Sequence, residues 1–423
     1  ARARIAIDQA GGKRQVHDAD EQRGGGHRGT HAKAQGLEGV GHVFPSGPQA
    51  GQLAQIGALG NNLMLPEDES DITRSVQAAY LEGGFELAPR WDVDLAARYE
   101  RYSDSAGSTF NGKLATRYEF SDDWALRGSA STGFVAPSLI QQGYAKTGLG
   151  RRTIDGVVQD VMIKQVQVDS PIGRALGATD LTPIESTQYA LGLTWSPTRT
   201  FNLALDAYVI ELNDRIANIT PLSGTGVDAI LAANGFSHVQ QVRYYANGFD
   251  TRTRGVDLVI ESRHGLGDWG NLRWSAGFNY NKTEIVGLRQ NPPELQSMNL
   301  ILFRRTELGG VTNGTPKTKG VLGLNWNYGD LDIGWRTSYY GETRLLGTAA
   351  IYDEVFGGKW INDLDVSYRF SDAVTVSIGA DNVFNVYPDR RTAIDTSGNS
   401  VFSPISPFGS YGGFYYARLS LAF

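Results

Sequence analysis

The chain has 423 residues, a formal net charge of −6 and no cysteine. The lack of thiols excludes disulfide frameworks, thiolate metal sites and cysteine nucleophiles, and the mild acidity argues against a dedicated nucleic-acid binder. The 52 glycines and 19 tyrosines are typical of a chain rich in strands and turns, and the sequence contains no apolar run of about 18 residues that would predict a transmembrane helix.

Residues 1–70 show no hydrophobic period of two or of 3.6 over a useful window. Phe44 is the only aromatic residue in this stretch, and four of the six histidines lie here among glycine-rich tracts. Such a segment buries too little apolar surface to offset the entropy lost on ordering. We therefore expect residues 1–70 to be disordered or non-native sequence, and the acidic residues 67–69 to form a solvated loop rather than a cation site.

Beyond residue 75, apolar and polar side chains alternate in one segment after another. Trp91, Val93 and Leu95, for example, alternate with Asp92 and Asp94. A period of two places one apolar and one polar face on each strand. The pattern predicts thirteen strands, near residues 76–87, 91–102, 109–119, 124–133, 186–195, 201–213, 240–263, 271–284, 317–328, 331–340, 359–370, 373–382 and 412–423.

This alternation fits either a soluble sandwich with a dry core or a membrane barrel with a wet interior. Several strands run for about ten residues or more, the length that a tilted strand needs to cross a bilayer. Charged residues such as Arg127 and Asp206 recur on the polar faces, which a hydrated lumen tolerates better than a packed core. Large aromatic residues mark strand ends on the apolar face, as an interfacial belt requires: Trp91, Tyr99, Trp195, Trp360 and Tyr415.

The connections between the predicted strands alternate between short and long. Antiparallel strands place alternate connections at opposite ends, so all the long ones share one end, as in bacterial outer-membrane barrels. The GxGxxG match at Gly265–Gly270 falls between two strands with no following helix, and therefore predicts a short turn rather than a nucleotide site. The sequence predicts an all-β, antiparallel transmembrane barrel over residues 71–423. The long connections are 103–108, 134–185, 214–239, 285–316, 341–358 and 383–411.

Four motifs resemble those of the TonB-dependent outer-membrane receptor family. Ser131–Leu139 resembles the family's TGFRAPS signature, with Val135 in place of the usual arginine. Thr253–Leu258 resembles its long inward strand, and Asp381–Asn385 is similar to its penultimate-strand motif. The terminal segment Tyr415–Phe423 resembles the β-signal that the barrel-assembly machinery reads.

The resemblance implies TonB-coupled uptake of a scarce ligand, such as a siderophore, vitamin or sugar, across the outer membrane of a Gram-negative bacterium. Receptors of this family have 22 strands, an N-terminal plug and a TonB box. Because nothing before Val76 resembles a plug, we expect this chain to be a fragment holding the last thirteen strands. The implied partners are outer-membrane lipid, the barrel-assembly machinery and a small ligand, with the TonB complex engaging a plug and TonB box missing from this chain. The implied assembly signal consists of Tyr415, Leu419, Leu421 and Phe423.

The ligand-contact prediction falls on the long connections, chiefly 134–185, 285–316 and 383–411. Exposed arginine and tyrosine side chains there suit anionic or sugar-like ligands, although an ordinary solvated loop is the favoured explanation for them. The sequence shows no catalytic motif and no regularly spaced metal ligands, so we expect a non-enzymatic chain without a cofactor. The predicted contacts are Tyr144, Arg151, Arg152, Arg304, Arg305, Tyr387, Arg390 and Arg391.

Two alternatives remain open from the sequence. A passive porin-like barrel would share the strand pattern but would have no plug or TonB box. A soluble all-β binding protein would bury its apolar faces against each other and would stay in solution without detergent. The side to which Leu95, Leu205, Phe278 and Leu421 point distinguishes this soluble protein from both barrels.

Overall fold

The computed structural model describes residues 2–8, 62–63, 68–154, 157–392 and 401–422. Its strands are β1 (Arg2–Asp8), β2 (Asn62–Leu63), β3 (Val76–Ala88), β4 (Trp91–Tyr102), β5 (Ser108–Glu119), β6 (Trp124–Val135), β7 (Lys146–Ile154), β8 (Val157–Gln165), β9 (Ile184–Thr198), β10 (Phe201–Asn218), β11 (Gln241–Arg243), β12 (Tyr245–Gly265), β13 (Asn271–Leu288), β14 (Thr318–Tyr328), β15 (Leu331–Tyr340), β16 (Thr343–Leu345), β17 (Glu354–Phe356), β18 (Lys359–Ser371), β19 (Val374–Asp381) and β20 (Phe414–Leu421). Its helices are α1 (Leu139–Gly143), α2 (Pro171–Ala175), α3 (Thr225–Ala233), α4 (Pro293–Ser297) and α5 (Arg305–Asn313).

Fourteen strands form one antiparallel sheet in the order β1-β3-β4-β5-β6-β9-β10-β12-β13-β14-β15-β18-β19-β20. The thirteen strands from β3 onward are those that the alternation predicted, which confirms the predicted antiparallel fold. The fourteenth, β1, pairs with β3, although its segment was expected to be disordered or non-native. Most of the expectation for residues 1–70 lies outside the described residues.

The apolar face of the sheet is exposed rather than packed into a dry centre. The exposed fraction is 47% for Leu95, 40% for Leu205, 47% for Phe278 and 52% for Leu421. These four side chains lie on different strands across the sheet, so the exposure belongs to the whole apolar face. A soluble sandwich would bury them against a second layer. The arrangement therefore favours the barrel interpretation over the soluble alternative.

Aromatic side chains form a row along the short-turn end of the sheet. The Trp124 and Trp195 rings stack with their centroids 5.3 Å apart, and Trp195 makes an edge contact with Phe201 at 5.3 Å. Further along, Trp326 stacks on Tyr328 at 5.7 Å. Each of these residues lies within four positions of a strand end. This row has the position and composition of an interfacial aromatic girdle.

The polar face carries hydrogen-bonded ion pairs between strands, one of which spans the intervening β9. Arg127 on β6 donates to Asp206 on β10 through Nε, at 2.9 Å, and through Nη2, at 2.5 Å. Arg336 on β15 pairs with Asp363 on β18 at 2.7 Å. Charges arranged in this way satisfy one another while remaining partly hydrated. The charged side chains of this face are therefore paired while partly exposed, and its hydration stays a prediction.

The long connections all lie at one end, as the alternation of their lengths predicted. We call them L1 (136–183), L2 (219–244), L3 (289–317), L4 (341–358) and L5 (382–413). The opposite end has tight turns, including the turn after β12, where a 3-10 turn spans Gly267–Trp269. Gly267 and Gly270 have φ angles of 60° and 81°, which glycine adopts without strain. The GxGxxG match is therefore a turn.

The predicted strand 240–263 is wrong at its start, because two strands occupy that range. The short β11 leaves the large sheet and pairs with β8 in L1. The break falls at Tyr244, which is 1% exposed and donates its hydroxyl to Leu176 O at 2.8 Å. Burial of this ring among the loops pulls the chain away from the sheet. The alternation also failed to predict β7 and β8, which lie within L1.

Candidate ligand-facing loop surface

The fully buried apolar residues of the molecule lie mainly in the loops. Loops L1, L2 and L3, together with the start of β12, form a compact unit that we call the loop lobe. Its ring contacts include Phe249 and Phe303, whose centroids are 5.5 Å apart in an edge-to-face arrangement. Because burial of apolar area drives ordering, the loops hold a fixed shape. The core residues are Val166, Val168, Ile172, Leu176, Ala178, Leu181, Ile219, Leu222, Val227, Leu231, Val239, Val242, Tyr244, Ala246, Phe249, Leu295, Leu302 and Phe303.

A second, four-stranded sheet supports the loop lobe, in the order β11-β8-β7-β2. On one face Lys164 donates to Asp68 Oδ1 at 2.8 Å, and both side chains are at most 4% exposed. The Lys164 ammonium also lies 4.3 Å from the centre of the Phe236 ring. The solvated-loop interpretation of Asp68 is therefore wrong, because its carboxylate is a buried partner of a lysine 96 positions away.

The signature-like segment at Ser131–Leu139 connects the sheet to the loop lobe. It ends β6 and begins α1, where the Ser138 hydroxyl accepts from Gln141 N at 3.1 Å and caps the helix. Arg74, just before β3, donates to Pro137 O at 2.6 Å and to Asp104 at 2.7 Å. Arg74, which precedes β3, therefore fixes this segment at the loop end of the sheet and links it to Asp104 in the β4–β5 connection.

Arg305, a predicted ligand contact, is part of a link between loops. Its guanidinium forms a two-point ion pair with Asp353 in L4, with Nη2 2.5 Å from Oδ2, and donates to Gly347 O at 3.0 Å. The Arg305 hydrogen bonds lower the pKa of Asp353 to about 2. A planar guanidinium matched to a carboxylate gives both charge and direction, so Arg305 fixes L4 against L3.

Arg391 links L5 to L4 in a similar way. Its Nε donates to Glu354 Oε2 at 3.0 Å, and Thr392 N donates to Glu354 Oε1 at 2.7 Å. The Glu354 side chain is 5% exposed. L4 is thus held between L3 and L5 through two adjacent acids, Asp353 and Glu354. The sequence analysis did not identify either acid. Two adjacent acids in a loop whose neighbouring loops carry arginines could have indicated ion pairs between these loops.

The other predicted residues of L3 and L5 remain available at the surface. Arg304 precedes α5, is exposed, and uses its backbone N–H to donate to Glu307 Oε2 at 3.1 Å. Tyr387 is 41% exposed and stacks on Phe402 with centroids 5.6 Å apart. Arg390 is exposed. Loops L3 and L5 thus present two arginines and a tyrosine around L4.

The predicted residues of L1 lie in a separate region, in and beside β7. Tyr144 caps the end of α1, with its N–H donating to Ile140 O at 2.9 Å, and its ring lies 5.8 Å from the Lys146 ammonium. Arg151 and Arg152 pair with Asp160 and Gln159 of β8, and their side chains lie outside the described part of the chain. The eight predicted contacts therefore divide into an L1 group and an L3–L5 group.

The last strand exposes the residues that were expected to form an assembly signal. Tyr415, Leu419 and Leu421 are 62%, 62% and 52% exposed on β20. The ring hydroxyl of Tyr415 donates to Val383 O at 3.1 Å, so the strand start is tied to L5. Phe423 lies outside the described residues. The signal function itself stays a prediction.

Within the described ranges, no three histidine, aspartate or glutamate side chains gather closely enough to hold a metal ion. None of the described helices combines the length and the apolar character needed to cross a bilayer. Exposed arginine and tyrosine side chains of the loop surface, such as Arg304, Arg390 and Tyr387, offer positive charge and hydrogen bonds.

Comparison with known proteins gives a consistent result. A family profile described as "TonB dependent receptor-like, beta-barrel" matches residues 14–383. The chain is 22% identical over 366 residues to a probable TonB-dependent siderophore receptor PirA of Acinetobacter baumannii, and the match covers 84% of this chain and 44% of that protein. The chain thus spans less than half the length of this curated relative.

Solved structures with the same fold include two siderophore receptors. The siderophore receptor PirA from Acinetobacter baumannii superposes with a TM-score of 0.56 at 17% identity, covering 84% of this chain and 46% of that one. A variant of the ferric enterobactin receptor PfeA from Pseudomonas aeruginosa gives 0.57 at 16% identity, with the same coverage of 84% and 46%. At such identities the likeness establishes the fold.

Proposed function

Because this chain belongs to the TonB-dependent receptor-like β-barrel family, we propose that it provides barrel wall and ligand-facing loops to an outer-membrane receptor for a ferric siderophore. The observation that carries the proposal is the combination of an exposed apolar sheet face with long loops that pack around one core at a single end. The apolar face suits lipid, and the ordered loops suit recognition of a small ligand.

In this proposal residues 71–423 form the barrel part, in the outer membrane of a Gram-negative bacterium, and residues 1–70 contribute no part of the ligand site. The barrel-assembly machinery reads Tyr415, Leu419, Leu421 and Phe423, and the TonB complex energises uptake. The siderophore class is supported by the curated relative, which is a probable siderophore receptor, and by a neighbour described as the FrpB iron transporter from Neisseria meningitidis, with a TM-score of 0.53.

A passive pore is the competing function, and the loop lobe argues against it. Loops L1, L2 and L3 share a buried core, and L4 is pinned on both sides by Arg305–Asp353 and Arg391–Glu354. A pore that only filters by size needs no such fixed, arginine-bearing surface. The proposed ligand contacts are the exposed Arg304, Tyr387 and Arg390, with Tyr144 bordering the L1 group.

The test is ligand binding by the full 423-residue chain folded in detergent micelles. Ferric enterobactin is the first probe, and tryptophan fluorescence gives the saturation curve, with iron-free enterobactin as the comparison. We expect saturable binding of the iron complex, weakened at least tenfold by the double variant Arg304→Gln, Arg390→Gln. Arg174→Gln is the matched control, because Arg174 is an exposed L1 arginine paired with Asp180.

A negative result is also informative. If no ferric siderophore in a panel of catecholates and hydroxamates binds, the receptor proposal fails. Liposomes that contain the chain then test the pore alternative. Swelling in isotonic sugar at a rate that depends only on sugar size would identify a passive channel.

A further inference from the structure

Five charged side chains share a face of the sheet with the exposed apolar residues. On β12, Leu258 pairs in register with Leu205 and Phe278, which belong to the exposed apolar face. Every second residue along a strand returns to the same face, so Arg254 and Arg252, four and six positions before Leu258, lie there as well. Their charged in-register partners on β10 and β13 share that face. We call this set the rim patch: Glu211 on β10, Arg252 and Arg254 on β12, and Lys282 and Glu284 on β13.

The rim patch lies across the apolar band from the aromatic row. Glu211 is ten residues along β10 from Phe201, which belongs to that row. Ten residues, at about 3.3 Å each and a tilt of about 40°, span about 25 Å along the membrane normal, which is the height of the apolar band. Arg254 and Lys282 lie two residues nearer the middle, or about 5 Å. A long cationic side chain at this depth reaches the headgroup layer.

The rim patch has three cations and two acids. Arg252 Nε donates to Glu211 Oε1 at 2.7 Å, and Lys282 Nζ donates to Glu284 Oε1 at 2.5 Å. The Arg254 side chain is exposed, and within the described ranges it forms neither an ion pair nor a hydrogen bond. Each acid is thus matched by a cation, and the Arg254 guanidinium has its charge and its five donors to offer.

The neighbours of Arg254 make an anion the favoured occupant. Arg254 and Lys282 are directly opposite each other on adjacent strands, and like charges in that arrangement destabilise a sheet. Glu284 lies beside them, but its hydrogen bond goes to Lys282. On the next strand, β9, the positions in register with the patch are Thr187 and Tyr189, which carry no charge. A negatively charged group that contacts both cations would remove the remaining repulsion.

We propose that the rim patch binds the phosphate of an anionic lipid headgroup, in the membrane leaflet on the loop side. Arg254 donates to the phosphate oxygens, and the Lys282 ammonium supplies the second charge. The Tyr280 ring, 43% exposed and two residues nearer the middle of the band, provides a surface for the first part of the acyl chains. A lipid is favoured over a free anion because the patch is continuous with the exposed apolar face. The inference goes beyond ligand uptake and rests on the proposed function only for placement in a membrane.

The experiment measures lipid binding to the full chain in detergent micelles by native mass spectrometry. Phosphatidic acid and phosphatidylcholine with the same acyl chains are added at matched concentrations, and the fraction of protein carrying lipid gives an apparent dissociation constant for each. We expect phosphatidic acid to bind about fivefold more tightly, which is the effect of one unpaired cation on an anionic headgroup. The double variant Arg254→Gln, Lys282→Gln should lose this preference.

Two further variants separate charge at the rim patch from charge elsewhere. Lys113→Gln, Arg273→Gln removes the same positive charge from the polar face, where the alternation along β5 and β13 places both residues, and should leave the preference unchanged. Arg254→Lys, Lys282→Arg keeps both charges and should keep the preference. The guanidinium unfolding midpoint in phosphatidylcholine should not fall in Arg254→Gln, Lys282→Gln, because that variant removes a like-charge contact.

Several results would overturn the proposal. Equal binding of the two lipids by the unmodified chain is one, and a preference that survives Arg254→Gln, Lys282→Gln is another. Equal loss in Lys113→Gln, Arg273→Gln would reduce the effect to net charge. Displacement of phosphatidic acid by inorganic phosphate at constant ionic strength would identify a soluble anion in place of a lipid. Ferric enterobactin binding is measured separately on the same samples, so a lipid site without siderophore binding, or the reverse, tells which of the two proposals fails.

Discussion

A charge placed on the apolar face of the sheet provides the sharpest test of its orientation. Leu205 lies on β10, 40% exposed, and its in-register neighbours are Leu193 and Leu258. It is four residues from Phe201 in the aromatic row. At about 3.3 Å per residue and a tilt of about 40°, four residues correspond to about 10 Å along the membrane normal. That depth is close to the middle of an apolar band about 25 Å tall.

We expect Leu205→Arg to lower the free energy of unfolding in lipid vesicles by about 2–4 kcal/mol, the cost of an arginine near the bilayer midplane. The matched control is Ala204→Arg, one residue away on the hydrated face with Asp206, where the loss should stay under about 1 kcal/mol. Guanidinium titration of the folded band on unheated gels gives both values. Equal losses for the two variants, or a larger loss for Ala204→Arg, would refute the outward orientation of the apolar face.

Three further predictions concern the loops. Arg305→Gln releases L4 from L3, so protease cleavage within L4 should accelerate at least several-fold while the sheet stays folded, as measured by limited proteolysis with mass spectrometry. The Arg305–Asp353 ion pair lowers the pKa of Asp353 to about 2. Its stabilisation is therefore fully present above the unfolded-state pKa of about 3.9 and is lost as the pH falls through about 2. Hydrogen exchange in L4, corrected for intrinsic rates, should rise only between these two pH values, and a rise near neutral pH would contradict the assignment of the ion pair. Lys164→Met removes the lysine partner of the buried Asp68 carboxylate and should cost about 3–5 kcal/mol in guanidinium unfolding, most of which the double variant Lys164→Met, Asp68→Leu restores. Equal stability of the single and double variants would count against a stabilising role for this ion pair.

The sheet was predictable because strand alternation is a local property of the chain. The pattern at Trp91, Val93 and Leu95 requires only that successive side chains point to opposite faces, and the thirteen strands it predicted are all present. Gly267 and Gly270 likewise indicate a turn, because the backbone freedom of glycine is also a local property.

The loops were less predictable, because contacts between distant segments order them. Arg305 and Arg391 were predicted as ligand contacts, and the sequence did not reveal that each pairs with a carboxylate, 48 and 37 positions away. Contacts between residues so far apart in sequence produce no periodic pattern in either segment. Ligand contact stays a prediction for all four arginines, of which Arg304 and Arg390 are exposed and Arg305 and Arg391 link loops.

The amino-acid sequence by itself determined the strands, their two faces and the end at which the long loops gather, because each follows from neighbouring residues and from the antiparallel path. Only the tertiary structure decided which charged side chains of the loops form ion pairs and which hydrogen-bond donors have no acceptor. The Gln165 Nε2 atom, which is buried without a hydrogen-bond partner, illustrates this, since only the pairing of β7, β8 and β11 places Gln165 between Lys146 and Arg243. A buried polar group forms a hydrogen bond only if a partner lies near it in space, and the packing of the loop lobe decides which residues lie near each other.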